Sequence, residues 1–307
     1  MSQLNVEQAS EEGGPLHARL EGIMGSTCHG RCSNGESSEV IDLRSLHLLM
    51  DRKAWYTDAL DYWDDQKNCS ADVEGVLGGF GSISEVDVEG SRNFLRGLVE
   101  KRRLKTGKAL DLGGGVGRVS TNVLARIFDR VVMLEVSPRL CDAASKSMNT
   151  SAGGSMDTDM DTDKEGQQGS SSVASRVEVV CGGMETYRSL EGFDCIWCQW
   201  CVGHFSDKDF VTFLKSANEK MNRGAYIILK DNCTGADEGF VFDEDDSSVT
   251  RSREHVDAIF CLGGWQKVEM KMQEGFPENI FPVPMVCFMR KEEESRVAEP
   301  HRAFEQE

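Results

Sequence analysis

The stretch Ala109, Leu110, Asp111, Leu112, Gly113, Gly114, Gly115, Val116, Gly117, Arg118 runs from a short apolar strand into a glycine-rich turn and the start of a helix. Glycines at such a turn let the backbone approach a ligand closely. A second acid, Glu135, ends the next apolar run, 24 positions after Asp111. An acid at that place can accept both hydroxyls of a ribose. The ligand is therefore nucleotide-like, but two common binding motifs fail. Gly-x-Gly-x-x-Gly counted from Gly113 ends on Arg118, and counted from Gly115 it ends on Ser120. A phosphate-binding loop with Gly-Lys-Ser/Thr is absent as well.

Cysteines are the other chemistry-bearing group. The 307-residue chain has eleven, an odd number, and its N-terminus is polar and acidic rather than that of a secretory signal. Reduced thiols serving as small core residues are expected. Cys28, His29 and Cys32 are of ligand type but lack a second pair at zinc-site spacing. Cys195, Cys198 and Cys201 lie three apart. On a regular strand Cys195 and Cys201 would face one way and Cys198 the other, so core packing is expected and no metal site.

The elements that must position these residues are legible as apolar runs. Seven stand out: KALDL, VVMLEV, RVEVVC, FDCIWCQW, AYIILKD, KVEMKM and PMVCFMR. Helical stretches separate most of them, which predicts a parallel sheet covered on both faces. The last two lack a helix between them and are expected to pair antiparallel. The fold class is thus α/β, a seven-stranded methyltransferase-type Rossmann sheet with its last strand antiparallel. Ser206 with Asp209 predicts a capped helix whose buried stripe is Phe210, Phe213, Leu214, Ala217 and Met221. Ahead of the sheet, extra helices are expected. One carries rows of Trp55, Ala59, Tyr62 and of Tyr56, Leu60, Trp63, and another covers residues 88–103 beyond a glycine-rich loop.

Composition bounds the rest. Hydrophobic residues make up 39% of the chain and charged residues 28%, as in globular proteins, and no apolar stretch is long enough for a membrane helix. The formal charge is −18, which repels nucleic-acid backbones and favours a basic partner. Residues 1–47 and the acidic, low-complexity insertion 149–172 are expected to lack order, and 291–307 to form a charged tail around a domain spanning 48–290. An intracellular location, cytoplasmic or nuclear, is expected.

The form Asp-x-Gly-x-Gly-x-Gly resembles the first motif of class I S-adenosylmethionine-dependent methyltransferases. Further segments narrow the resemblance: Trp55, Tyr56 with Tyr62, Trp63; GVLGGFG from Gly75 with Ile83, Ser84; IWCQWCVGH from Ile196; Lys230, Asp231, Asn232; and DSSVTR from Asp246. In this order they resemble the protein N-terminal α-amine methyltransferases, which act on substrates whose processed N-terminus reads Xaa-Pro-Lys or Xaa-Pro-Arg.

That resemblance implies S-adenosylmethionine as cofactor and basic N-terminal protein segments as partners. It places Gly113 and Arg118 on the cofactor, Glu135, Val136 and Ser137 at its ribose, Gly183 and Met184 beside its adenine, and Gln199 as the closure of the pocket. Leu77 and Gly78 would lie over the substrate peptide. Trp200, Asn232, Asp243, Asp246, Ser248 and His204 would line its channel. Asp246 is the preferred proton acceptor, Asn232 orients the amine, and His204 is the alternative acceptor. Plainer roles stand beside these: core packing for Trp200, local hydrogen bonding for His204, a solvated loop for the acidic run, helix packing for Tyr62 and Trp63. Departures from the family are Gly114 for Ala, Glu135 for Asp, and Phe281 and Pro284 where it carries two tyrosines. The alternatives in other classes are a small-molecule amine methyltransferase and a silent binding module.

Overall fold

The computed structural model describes residues 29–32, 41–42, 52–102, 104–153, 173–235 and 239–291. In chain order its main elements are strands β1 (His29–Cys32) and β2 (Ile41–Asp42), helices α1 (Arg52–Asp64), α2 (Val73–Val76) and α3 (Ser84–Arg102), strand β3 (Lys108–Leu112), helix α4 (Arg118–Asn122), strand β4 (Arg130–Glu135), helix α5 (Pro138–Gly153), strands β5 (Val177–Cys181) and β6 (Cys195–Gln199), helix α6 (Asp207–Lys220), strands β7 (Tyr226–Lys230), β8 (Phe240–Asp243) and β9 (Ser248–Arg251), helix α7 (Arg253–Leu262), and strands β10 (Trp265–Met272) and β11 (Pro284–Arg290).

Period-two alternation builds a core on each face of the main sheet. Leu110, Leu112, Ile196, Cys198, Ile227, Leu229 and Phe288 point to one face, where α6 and α7 pack with Phe210, Phe213, Leu214, Ile259 and Phe260. Ala109, Val131, Cys195, Trp197, Ile228 and Cys287 point to the other, against Phe94, Leu95 and Leu98 of α3 and Val119 of α4. Because both faces are covered, the central strands read as nearly continuous apolar runs, while the edge strand β10 keeps exposed lysines; all seven expected runs are strands of this sheet.

Sheet order is β10-β11-β7-β6-β3-β4-β5. β11 is antiparallel to both neighbours, as expected for the last strand. From β3 the chain steps outward through β4 to β5, then returns to lay β6 on the other side of β3. Connections leave β3 and β6 in opposite directions, so a crevice opens at the carboxyl ends of these strands.

A second sheet, order β2-β1-β8-β9, lies outside the seven expected runs. Its hairpin β8–β9 turns through the acidic run, whose plainer reading is a solvated loop. β1 and β2 fall within 1–47, a departure from the expected lack of order at these residues, and the remainder of that segment lies outside the described residues. α5 runs on to Gly153, into the expected insertion, whose residues 154–172 lie outside the described residues. So do Cys28 and the tail from 292. The helix predicted over 88–103 starts earlier, at Ser84, and the glycine-rich loop before it contains the short α2.

One cysteine expectation is corrected. Cys201 joins the core face of Cys198, not that of Cys195. β6 ends at Gln199 and Trp200 takes a left-handed backbone with φ 52°, so the alternation does not extend to Cys201.

The hairpin is locked to the main body by a buried ion cluster. Asp207 in the first turn of α6 accepts from Arg251 Nε at 2.8 Å and lies 2.7 Å from His255 Nε2, while Arg251 also donates to the carbonyls of Val202 and Phe205. Removing one partner strands a buried cation. Asp207→Ala is expected to lower unfolding stability by about 3–5 kcal/mol. Urea unfolding with an unchanged m value checks this, and a loss below about 1 kcal/mol would show the cluster to be of surface strength.

Candidate active site

A cavity of about 620 Å³ sits at the carboxyl ends of β3, β4 and β6, within the range of small-molecule sites. Gly113, Gly114, Gly115, Glu135, Val136, Gly183, Met184, Gln199 and Trp200 line it, and α1 covers it with Tyr56, Leu60 and Trp63. Gly113 and Gly114 both donate to the carbonyl of Leu134 as the chain turns off β3. Gly113 has φ 70°, and a Cβ there would stand 2.5 Å from Cβ of Cys201. Only glycine fits that close approach.

Glu135 at the end of β4 is buried and accepts from Gly115 N and Ser137 N, each at 2.9 Å. Burial raises its pKa against those two donors. A carboxylate has about four lone-pair sites, so acceptor capacity remains for ligand hydroxyls. Ser137 lies behind Glu135, with its hydroxyl on Asp64 of α1 at 2.5 Å. That bond holds the Asp64 pKa below its usual value, and ties α1 to the segment that follows β4.

Arg118 and Gln199 converge on an acid that sequence reasoning missed. Arg118 Nη1 donates to Asp87 Oδ2 at 2.6 Å, and Gln199 Nε2 lies 2.9 Å from both Asp87 oxygens. Gln199 Oε1 in turn accepts from Trp197 Nε1 at 3.0 Å. Asp87 is fully buried on α3, in line with Ser91, Leu95 and Leu98. An acid on the apolar stripe of a helix was the available signal, but two neighbouring acids, Glu85 and Glu89, obscured it.

On the other side of the cavity, α1 holds His204. Trp55 Nε1 donates to the His204 carbonyl at 2.6 Å, and Trp63 Nε1 donates to His204 Nε2 at 3.1 Å. Nδ1 lies 3.3 Å from the carbonyl of Ser247. An indole N–H can only donate, so Nε2 is the acceptor and Nδ1 carries the proton toward Ser247. The imidazole lone pair is occupied, which places Trp63 in the site rather than in mere helix packing. The start of α1 is anchored by the cap of α6. Asp209 accepts from Ser206 Oγ at 2.9 Å, and it also receives Arg52 Nε and Tyr56 OH, each at 2.8 Å.

Trp200 Nε1 donates to Asn232 Oδ1 at 3.2 Å, and its ring stacks on Phe276 at 6.2 Å between centroids. Asp243 ends β8, Ser248 opens β9 opposite it, and Asp246 sits in the turn between them. Asp246 is half-buried, and its Oδ1 is buried with no hydrogen-bond partner among the described residues. Burial raises its pKa, opposed by His204 and by a hydrogen bond with Ser248. Leu77 lines the cavity, and Gly78 follows it in a left-handed turn.

This sheet and its glycine-lined crevice define a class I methyltransferase. The comparisons with known proteins narrow that class. A family model described as AdoMet-dependent proline di-methyltransferase matches residues 51–289. The chain is similar to alpha N-terminal protein methyltransferase 1 of Arabidopsis thaliana, 33% identical over 238 residues that cover 75% of this chain and 78% of that one. It is similar also to N-terminal Xaa-Pro-Lys N-methyltransferase 1 of Homo sapiens, 30% identical over 77% of this chain and 96% of the relative. Among solved structures, a SAM-dependent methyltransferase of Leishmania major superposes with a TM-score of 0.69 at 30% identity, covering 85% of this chain and 96% of that one. The chain belongs to the AdoMet-dependent proline di-methyltransferase family, and its cofactor is S-adenosylmethionine. The residues present fit that cofactor: the backbone of Gly113, Gly114 and Gly115 lines the cavity, and Glu135 offers free acceptor sites at its wall.

Asp111, beneath the turn, gives a pH signature. Burial pushes its pKa up to about 7, against a 2.6 Å hydrogen bond from Ser120 Oγ. The folded state thus holds this proton more tightly than the unfolded chain, whose Asp titrates near 3.9. Stability from this group is fully present below about pH 4 and is lost as pH rises toward about 7, at up to roughly 1.4 kcal/mol per pH unit. The stability of the wild type relative to Asp111→Asn is therefore expected to fall between about pH 4 and about pH 7 in urea titrations. A difference constant over that window would remove Asp111 as a titrating group.

Proposed function

We propose that this protein transfers methyl groups from S-adenosylmethionine to the free α-amine of proteins whose N-terminus reads Xaa-Pro-Lys or Xaa-Pro-Arg. The observation that carries the reading is the place of Asp246, a partly buried carboxylate whose Oδ1 lacks a partner among the described residues, beside Ser247, whose carbonyl lies 3.3 Å from His204 at the wall of the cofactor cavity. The printed names of the Arabidopsis and human relatives support the substrate class.

The cofactor, when bound, supplies an electrophilic methyl group on a sulfonium. The chain must present a neutral amine in line with it, so positioning supplies much of the rate. A free α-amine has a pKa of about 7.7–8.0 and arrives mostly protonated. Asp246 accepts that proton through its open oxygen, and burial brings its basicity nearer the working pH. His204 is the weaker choice, because Trp63 occupies Nε2. Its part is to hold the turn at Ser247 and so to fix Asp246. Asn232, kept in place by Trp200, orients the amine. The stacked pair Trp200 and Phe276 offers aromatic faces to a proline ring. Asp243, Glu244 and Asp245 place acid at the same hairpin for a basic third residue. Ser248 supports the Asp246 carboxylate.

The test is a Ser-Pro-Lys peptide incubated with the protein and S-adenosylmethionine and read by mass. Methyl additions that vanish when the peptide is N-acetylated are expected. Methylation that survives acetylation would move the target to the lysine side chain. Asp246→Asn is expected to lower kcat by about 10²–10⁴-fold while cofactor affinity stays near wild type. A wild-type kcat in that variant would return the proton to another acceptor.

A further inference from the structure

The Asp87 cluster extends beyond the cofactor side of the site. Lys230, the last residue of β7, is fully buried and ion-pairs with Asp87 Oδ1 at 2.5 Å. Its ammonium also donates to the Asp87 carbonyl at 3.0 Å, Ser91 Oγ at 2.9 Å and Gln273 Oε1 at 2.7 Å. Gln273 begins the connection between β10 and β11, where its N–H meets the carbonyl of Val283 at 2.8 Å. Its side-chain amide donates to the carbonyls of Val86 and Glu274. Three residues on, Phe276 lies with its ring centroid 5.9 Å from the Lys230 ammonium and stacks on Trp200. One carboxylate therefore joins α3, the start of α4, the end of β6 and the end of β7. Through Lys230 it reaches the loop that carries the Phe276 face of the channel.

Stability alone does not account for this arrangement, since buried ion clusters are often no more stable than apolar packing of the same volume. Two cations share one carboxylate, Asp87, and the Arg118 member lines the cavity, where Asp111 is the other acid that acts on it. Burial lowers the Lys230 pKa to about 8, opposed by Asp87, as expected of a cation short of counter-charge.

We propose that Asp87 is a positioning residue for methyl transfer. It aims Arg118 and Gln199 into the cofactor cavity and, through Lys230 and Gln273, sets the Phe276 face of the substrate channel. This rests on the reading of the cavity and channel given above.

The test measures the dissociation constant of S-adenosylhomocysteine by calorimetry, without peptide, and kcat and KM for the Ser-Pro-Lys peptide. The proteins are the wild type, Asp87→Asn, Asp87→Glu and Gln273→Ala. Asp87→Asn is expected to weaken S-adenosylhomocysteine about tenfold or more, as loss of a charge-assisted tether to two ligand-facing side chains implies. Gln273→Ala is expected to leave that constant near wild type and to raise peptide KM by about threefold or more. Should Asp87→Asn fail to fold, Asp87→Glu keeps the charge but displaces it by one methylene, and the same weakening is expected. Wild-type cofactor affinity in a folded Asp87 variant would overturn the positioning role, and an unchanged peptide KM in Gln273→Ala would overturn the Lys230 branch. A wild type that binds S-adenosylhomocysteine but leaves the peptide unmethylated would sink the substrate reading, with the affinity loss in the Asp87 variants still deciding the cofactor arm.

Discussion

Strand order reverses between β3 and β6, and the site depends on that reversal. Two neighbouring parallel strands whose connections part company leave backbone ends and a crevice that no helix fills. The chain lines the crevice from both sides. β3 delivers the glycine turn, and β6 delivers Gln199 and Trp200. Gly113 and Cys201 touch across it, so the two strand ends are held at a separation set by a missing Cβ. β4 and β7, the next strands outward, bring Glu135 to one flank and Asn232 to the other. The two flanks of the crevice are close because their strands are neighbours of β3 and β6.

What the sheet leaves open, α1 and the hairpin β8–β9 close. Neither packs as part of the main sheet, and each is fixed by polar contacts to the segment following β6. α1 is held through Trp55, Trp63 and Tyr56, and the hairpin through Arg251 and the Ser247 carbonyl. Both meet at His204, which accepts from one and faces the other. An imidazole with both nitrogens engaged is a better strut than a proton carrier, and this separates it from Asp246, whose open oxygen faces no partner among the described residues.

The central strands of the main sheet were legible because burial on both faces removes polar interruptions, and the glycine turn was legible because few other contexts require so many glycines beside an acid. The hairpin was hidden for the opposite reason. Its strands have four residues each, and the turn between them is almost wholly acidic, which reads as solvated chain. Asp87 was hidden by its neighbours: three acids within five residues look like an exposed helix start, and only the buried stripe below singles out the middle one. The cysteine alternation failed at one residue, Trp200, where the backbone leaves the extended region. Roles carried by the family resemblance, such as those of Asn232 and Asp246, required knowledge of relatives. Local pattern could not connect residues brought together from separate strands and a hairpin.

Trp200 has a further consequence. A bulky side chain in the left-handed region costs on the order of 1–2 kcal/mol relative to an ordinary backbone, and glycine would relieve it. The indole that stacks on Phe276 and holds Asn232 is thus kept at some expense to the fold. Trp200→Gly would relax the turn while erasing the aromatic wall.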